Sequence, residues 1–176
     1  GREITTGVFN TLIGALAGDA ITTAGYNTVM GSGALGTNIL SSANVAIGQD
    51  CLLNHNLASA GNGYNTAVGT NAGAAVSTGV QNTLIGGQAG DAITTSSDNV
   101  AVGFDALSAN TTGGPNTAVG KGGLNANTTG SNNTGLGRAA LGNNTTASNN
   151  TAVGHYALLA NTTASDNTAV GALSLD

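Results

Sequence analysis

Along the 176-residue chain a short block of polar and apolar positions keeps returning: Asn, then Thr or Val, then a small or aliphatic residue, then a larger aliphatic, then Gly. Its commonest form is Asn-Thr-Ala-Val-Gly, and the copies begin at Asn10, Asn27, Asn44, Asn65, Asn82, Asn99, Asn116, Asn133, Asn150 and Asn167. Neighbouring copies lie 17 residues apart, except Asn44 and Asn65, which lie 21 apart. A fixed pitch near twenty residues marks a solenoid, where each repeat forms one coil and stacks on the next. The expected fold is all-β: a parallel β-solenoid (β-roll) of about ten 17-residue coils, with residues 1–176 as a single repeat domain. At about 4.8 Å per strand spacing the rod would be roughly 45–50 Å long.

Counting each repeat from its Asn, positions 2 and 4 fall on one side of an extended strand and position 3 on the other. Both sides are apolar or small, so both should be covered, one by the coil itself and the other by something else. The small residues at position 3, such as Ala118 and Ala152, offer a face that a neighbouring copy could approach closely. Position 5 is Gly in all ten copies: Gly14, Gly31, Gly48, Gly69, Gly86, Gly103, Gly120, Gly137, Gly154 and Gly171. That constancy points to a positive φ or to close packing of successive coils. The ten Asn residues at position 1 should stack as a structural ladder, their amides bonding along the axis and to turn carbonyls.

A second strand is expected at positions 11 to 14, as in Ala20–Thr23 and Ala109–Thr112, where β-branched residues gather. Positions 9 and 12 vary together. Gly18, Gly73 and Gly90 go with Ile21, Val76 and Ile93, whereas Leu35, Leu52, Leu107, Leu124, Leu141 and Leu158 go with Asn38, His55, Asn110, Asn127, Asn144 and Asn161. One apolar group per coil fills a shared interior volume from either side. The extra four residues of the long repeat are placed at 61–64, a turn-like Gly-Asn-Gly-Tyr insertion expected to be dispensable. Pro115 precedes a repeat, where a missing amide is tolerable at a corner.

Composition agrees with a repeat fold and narrows the partners. Charged residues are 6% and aromatics 3%, so a conventional core of large side chains is not available, yet 40% hydrophobic residues with little charge argue against disorder. The net charge of −5 and the lack of a basic patch exclude nucleic acid and anionic membranes as expected partners. No apolar run is long enough to span a bilayer, and no leader-like segment opens the chain.

Candidate chemistry is sparse. Cys51 sits at the always-small position 8 and reads as a buried side chain, with His55 around a corner from it. The two His residues do not form a metal site, and the acids, for instance Asp19 and Asp91 or Asp50 and Asp105, do not stack on adjacent coils. No enzyme, cofactor or metal is expected. Asn110, Asn127, Asn144 and Asn161 each head an Asn-x-Thr acceptor sequence for glycosylation. Position 13 is mostly Thr (Thr5, Thr22, Thr94, Thr111, Thr128, Thr145, Thr162), a column of the kind that could bind ice.

The run from Asn99 to Asp176, with its Asn-Thr-Ala-Val-Gly, Ala-Leu and Asn-Thr-Thr pieces, resembles repeats of phage tail fibres and surface fibre proteins. More distantly it is similar to the heads of trimeric autotransporter adhesins of the YadA type. The resemblance implies a left-handed parallel β-roll, a homotrimer, an extracellular or virion-borne location and attachment to a host-surface glycan or receptor. The pitch of 17 departs from the shorter adhesin-head repeat. Because the chain enters and leaves the repeat at nearly the same phase, a head-to-tail extracellular filament is the alternative expectation, ahead of an ice-binding solenoid.

Overall fold

The computed structural model describes residues 1–176 and contains no helix; the chain winds into about nine coils of a parallel β-solenoid. Each repeat supplies one three-residue strand at positions 2 to 4: β1 (Thr11–Ile13), β2 (Thr28–Met30), β4 (Val45–Ile47), β6 (Thr66–Val68), β7 (Thr83–Ile85), β8 (Val100–Val102), β9 (Thr117–Val119), β10 (Thr134–Leu136), β11 (Thr151–Val153) and β12 (Thr168–Val170). These form one ten-stranded parallel sheet in chain order. The register stacks like on like, Thr117 on Thr134 and Ala118 on Gly135. The outlying pair is β3 (Ser41–Ser42) with β5 (Gly61–Asn62).

The strands are short because Gly at position 5 ends each one. At Gly103 φ is 134°, and a Cβ would lie 2.7 Å from the carbonyl carbon and oxygen of Gly120 on the next coil. Position 5 therefore excludes side chains by backbone angle and by stacking distance together. Every other residue type with positive φ falls on positions 7, 9 or 17, as Asp105, Leu107 and Asp98 do. Three left-handed corners per coil bend the chain back on itself.

Between corners, two tight turns follow the strand: Ala106 N donates to Gly103 O at 3.3 Å, and Asn110 N to Leu107 O at 3.2 Å. The second turn corrects the expectation of a strand at positions 11 to 14. The amide of position 12 is spent inside its own coil, so the ladder there shrinks to isolated bonds such as Thr111 N to Thr128 O at 2.9 Å.

The core is built from positions 3, 8, 9 and 12. Position 3 points inward, not toward a neighbouring copy: Ala101, Ala118 and Ala152 are 0% exposed. This overturns the reading of position 3 as an association face. It also adds a third member to the volume shared by positions 9 and 12. A Cβ on Gly90 would meet Ile93 Cδ1 and Leu84 Cδ2, each at 2.8 Å, and Leu84 is a position-3 residue. Where position 9 is Leu, the same coil carries Ala, Val or Gly at position 3.

The long repeat also departs from expectation. Gly61–Tyr64 belongs to the coil: β5 pairs with β3, Gly63 is buried, and Tyr64 takes the left-handed corner at φ 50°. The residues that bulge out are Leu57–Ala60, of which Ala58, Ser59 and Ala60 are exposed. Asn56 Oδ1 accepts from the amides of Ile39 (3.1 Å) and Leu40 (3.3 Å), standing in for the backbone ladder beside the bulge.

Candidate interaction surfaces

The Asn side chains are occupied inside the coil. At position 1, Asn116 N donates to Asn99 Oδ1 at 3.0 Å, and Asn116 Nδ2 to Gly130 O at 2.8 Å. At position 12, Asn127 Nδ2 donates to Asn110 Oδ1 and to Gly130 O, both at 2.9 Å. Two Asn columns thus converge on the position-15 carbonyl, and buried polar groups of one coil are satisfied by the next. Asn110, Asn127 and Asn144 are fully buried, and Asn161 donates to Asn144 Oδ1 at 2.9 Å and Ala164 O at 3.0 Å. Their amide nitrogens are inaccessible or spent, so the folded chain does not offer them for glycosylation.

Cys51 is buried and donates to Ala67 O at 3.2 Å; burial pushes its thiol up to about 12, far from a reactive thiolate. His55 is buried too, with its pKa pushed down to about 4 by burial, opposed by the Ser77 carbonyl. No three His, Cys, Asp or Glu side chains converge. Asp19 is held below the usual carboxylate range by its hydrogen bond from Arg2, at 2.9 and 3.0 Å, one coil apart on the surface. Burial raises Asp91, with Asp105 adding to the shift.

The Thr column at position 13 is spent on structure. The hydroxyls of Thr94, Thr111 and Thr128 each donate at 3.1 Å to the carbonyl of the same position on the next coil. The free hydroxyls are elsewhere, at position 2 on the sheet's outer face. Eight of the ten residues there are Thr, from Thr11 to Thr168, and none of their hydroxyls makes a hydrogen bond within the protein, although most of their amides do. Beside them runs the position-4 column, Ile13, Met30, Ile47, Val68, Ile85, Val102, Val119, Leu136, Val153 and Val170, whose most exposed members range from 36% to 71%. The outer face of the sheet is therefore a straight apolar column flanked by unpaired hydroxyls.

One constellation went unread in the sequence. Phe104, Lys121, Arg138 and His155 all fall at position 6, on four successive coils at the corner after the sheet. Lys121 Nζ lies 5.7 Å from the Phe104 ring centroid, Arg138 Cζ 5.2 Å from that of Tyr156. Two of the chain's three cations thus stand on adjacent coils. The 17-residue spacing from 104 to 155 was the available signal. Elsewhere in that column Ala15, Ser32, Gln49 and Gly87 hide it.

Compared with known proteins, the chain matches no described family, no curated protein and no solved structure.

Proposed function

We propose that the chain is a non-enzymatic rod segment of an extracellular fibre, of the phage tail-fibre or surface-adhesin kind, which associates laterally with copies of itself as a homotrimer. The single observation that carries this reading is the outer sheet face, an unbroken apolar column ten strands long. A face about 43 Å long and 10 Å wide covers roughly 400 Å², the size at which an exposed apolar patch is often functional. Two such faces bury about 800 Å², short of the ~1,000 Å² of a stable pair. Association of a segment this long should therefore be weak, and firm only where more coils extend the contact. Sedimentation velocity over a concentration series tests it: a mass that rises with concentration supports the rod, and a constant monomer mass overturns it.

The same face favours a second reading, an ice-binding solenoid, because hydroxyls without protein partners stand in register beside aliphatic side chains. This moves the candidate ice face from position 13 to positions 2 and 4. Ice-recrystallisation inhibition by the monomer, lost on replacing Thr117 and Thr134 with Lys, would support it; no inhibition at any concentration would remove it.

A further inference from the structure

Position 17 is the corner that leads into the sheet, and six successive copies of it read Phe9, Tyr26, Ala43, Tyr64, Gln81 and Asp98. All six are left-handed, with φ from 50° to 61°. Side chains therefore leave the rod from equivalent points, one strand spacing of about 4.8 Å apart. The Phe9 and Tyr26 rings, 73% and 64% exposed, stack with centroids 5.0 Å apart, one coil step. Tyr64, 58% exposed, is held in place by Asn62 Nδ2, which donates to its Oη at 2.7 Å. Between Tyr26 and Tyr64 the column carries only Ala43. One rung of the aromatic ladder is missing there, leaving two coil steps, about 10 Å, between ring positions. Taken in reverse, the column exchanges rings and gaps: rings stand on the first, second and fourth corners, and gaps on the third, fifth and sixth.

We propose that this column is a self-complementary contact through which a second copy of the chain docks antiparallel. With the partner's Asp98 level with Phe9, the partner's Gln81 faces Tyr26 and the partner's Tyr64 fills the gap over Ala43. By two-fold symmetry Tyr64 fills the partner's gap. The rings then alternate along the contact as Phe9, Tyr26, the partner's Tyr64, Tyr64, the partner's Tyr26 and the partner's Phe9. Each neighbour lies about one strand spacing away, within the range of favourable offset stacking. A shift of one coil in either direction sets ring against ring at one level and leaves another level empty. A parallel contact in register sets every ring against its own copy and Asp98 against Asp98. The antiparallel register keeps the two Asp98 carboxylates at opposite ends of the stack, roughly 24 Å apart, so like charges do not meet. Six half-covered rings with Ala43 and Gln81 bury on the order of 500 Å², about half of what a stable pair needs. Two isolated chains therefore part in the millimolar range, and the contact gains weight only where several corners engage at once. It lies beside the outer sheet face without using it, so it does not depend on the rod reading.

Photo-oxidative coupling of tyrosines, with a ruthenium sensitiser and persulfate, traps so brief a contact by joining touching rings with loss of two hydrogen atoms. Coupling of Tyr64 to Tyr64 can only link two chains, and peptide mass spectrometry identifies it. In the full chain it should exceed Tyr26-to-Tyr26 coupling by at least about fivefold, although Tyr26 is the more exposed. The register sets Tyr64 next to the partner's Tyr64, but Tyr26 three coil steps from the partner's Tyr26. The coupling should persist in the variant carrying both Ile85→Lys and Val119→Lys, where the sheet face does not contribute. Ala43→Tyr adds a ring to the column yet occupies the partner's place, so Tyr64 coupling should fall at least about fivefold. Ala43→Tyr combined with Tyr64→Ala restores one ring per level, and coupling should reappear between the two copies of residue 43. Tyr26 already holds a tyrosine at the same corner, and circular dichroism verifies that each variant keeps the fold. Four results overturn the proposal: no Tyr64-to-Tyr64 product, equal coupling at Tyr26 and Tyr64, loss of coupling in the lysine variant, or undiminished coupling in Ala43→Tyr.

Discussion

His55 Nε2 lies 2.8 Å from Ser41 Oγ, and both side chains are fully buried. Every other complete coil with Leu at position 9 places Asn where His55 stands. The substitution leaves His55 Nδ1 without a hydrogen-bond partner. Burial lowers the imidazole pKa from 6.5 to about 4 in the folded chain. Between those values the unfolded chain binds more protons, so stability is full above pH 6.5 and falls as pH drops toward 4. The loss should approach about 3 kcal/mol. Urea denaturation of the protein and of His55→Asn at pH 7 and pH 4.5 isolates this group from the carboxylates. Parallel losses in both proteins would show that His55 does not titrate in this way.

The shared core volume predicts a three-way coupling. Gly90→Leu should cost about 1–3 kcal/mol through crowding, plus about 1 kcal/mol for a side chain at a left-handed corner. Adding Ile93→Asn alone leaves the contact with Leu84 and should recover only part. The triple variant Leu84→Ala, Gly90→Leu, Ile93→Asn reproduces the set Ala118, Leu124, Asn127 of a native coil and should recover most of the loss. Thermal denaturation of the series checks this, and additive costs would mean that the three positions share no volume.

The pitch, the strand at positions 2 to 4 and the trade between positions 9 and 12 were all legible because ten copies repeat the same constraint. The direction of position 3 was not. Ala at that position in most repeats looks the same whether it lines a narrow core or faces a neighbour, and only Val29 and Leu84, fully buried, break the tie. The false second strand had a related cause: Thr and Ile at positions 12 to 14 have strand propensity, but the turn closed by the Asn110 amide on Leu107 O overrides it. The column from Phe104 to His155 was hidden because Ala15, Ser32, Gln49 and Gly87 hold the same position in earlier repeats and carry no such pattern.

His55 also decides which four residues of the long repeat lie in the coil. A Cβ at Gly63 would sit against Asn44 Oδ1 and 2.7 Å from both His55 Nε2 and Ser41 Oγ. Deleting residues 57–60 keeps Gly63 in place, restores a 17-residue repeat and should shift Tm by less than about 4 °C. Deleting 61–64 also restores the length but moves Ser59 into the slot of Gly63, so it should be the less stable deletion. Combining it with His55→Asn should narrow the difference. Equal melting temperatures for the two deletions would show that His55 does not select the register.

The last prediction separates the two faces of the strand. Ile85 and Val119 stand on the outer face, 39% and 37% exposed, whereas Ala118 between Thr117 and Val119 is 0% exposed. If the outer column mediates lateral association, Ile85→Lys and Val119→Lys together should give a folded monomer, because like charges then meet across the contact. Their effect on stability should stay within about 1 kcal/mol, as for other surface changes. Ala118→Asp should instead unfold the rod, at a cost above about 4 kcal/mol, because it buries an unpaired charge in a core one residue wide. Given roughly 800 Å² per contact, the unmodified chain should associate with a Kd on the order of tens to hundreds of micromolar. Sedimentation from about ten micromolar to one millimolar covers that range. A folded wild-type monomer at the top of the series would remove the lateral rod, and a folded, monomeric Ala118→Asp would mean that position 3 faces outward after all.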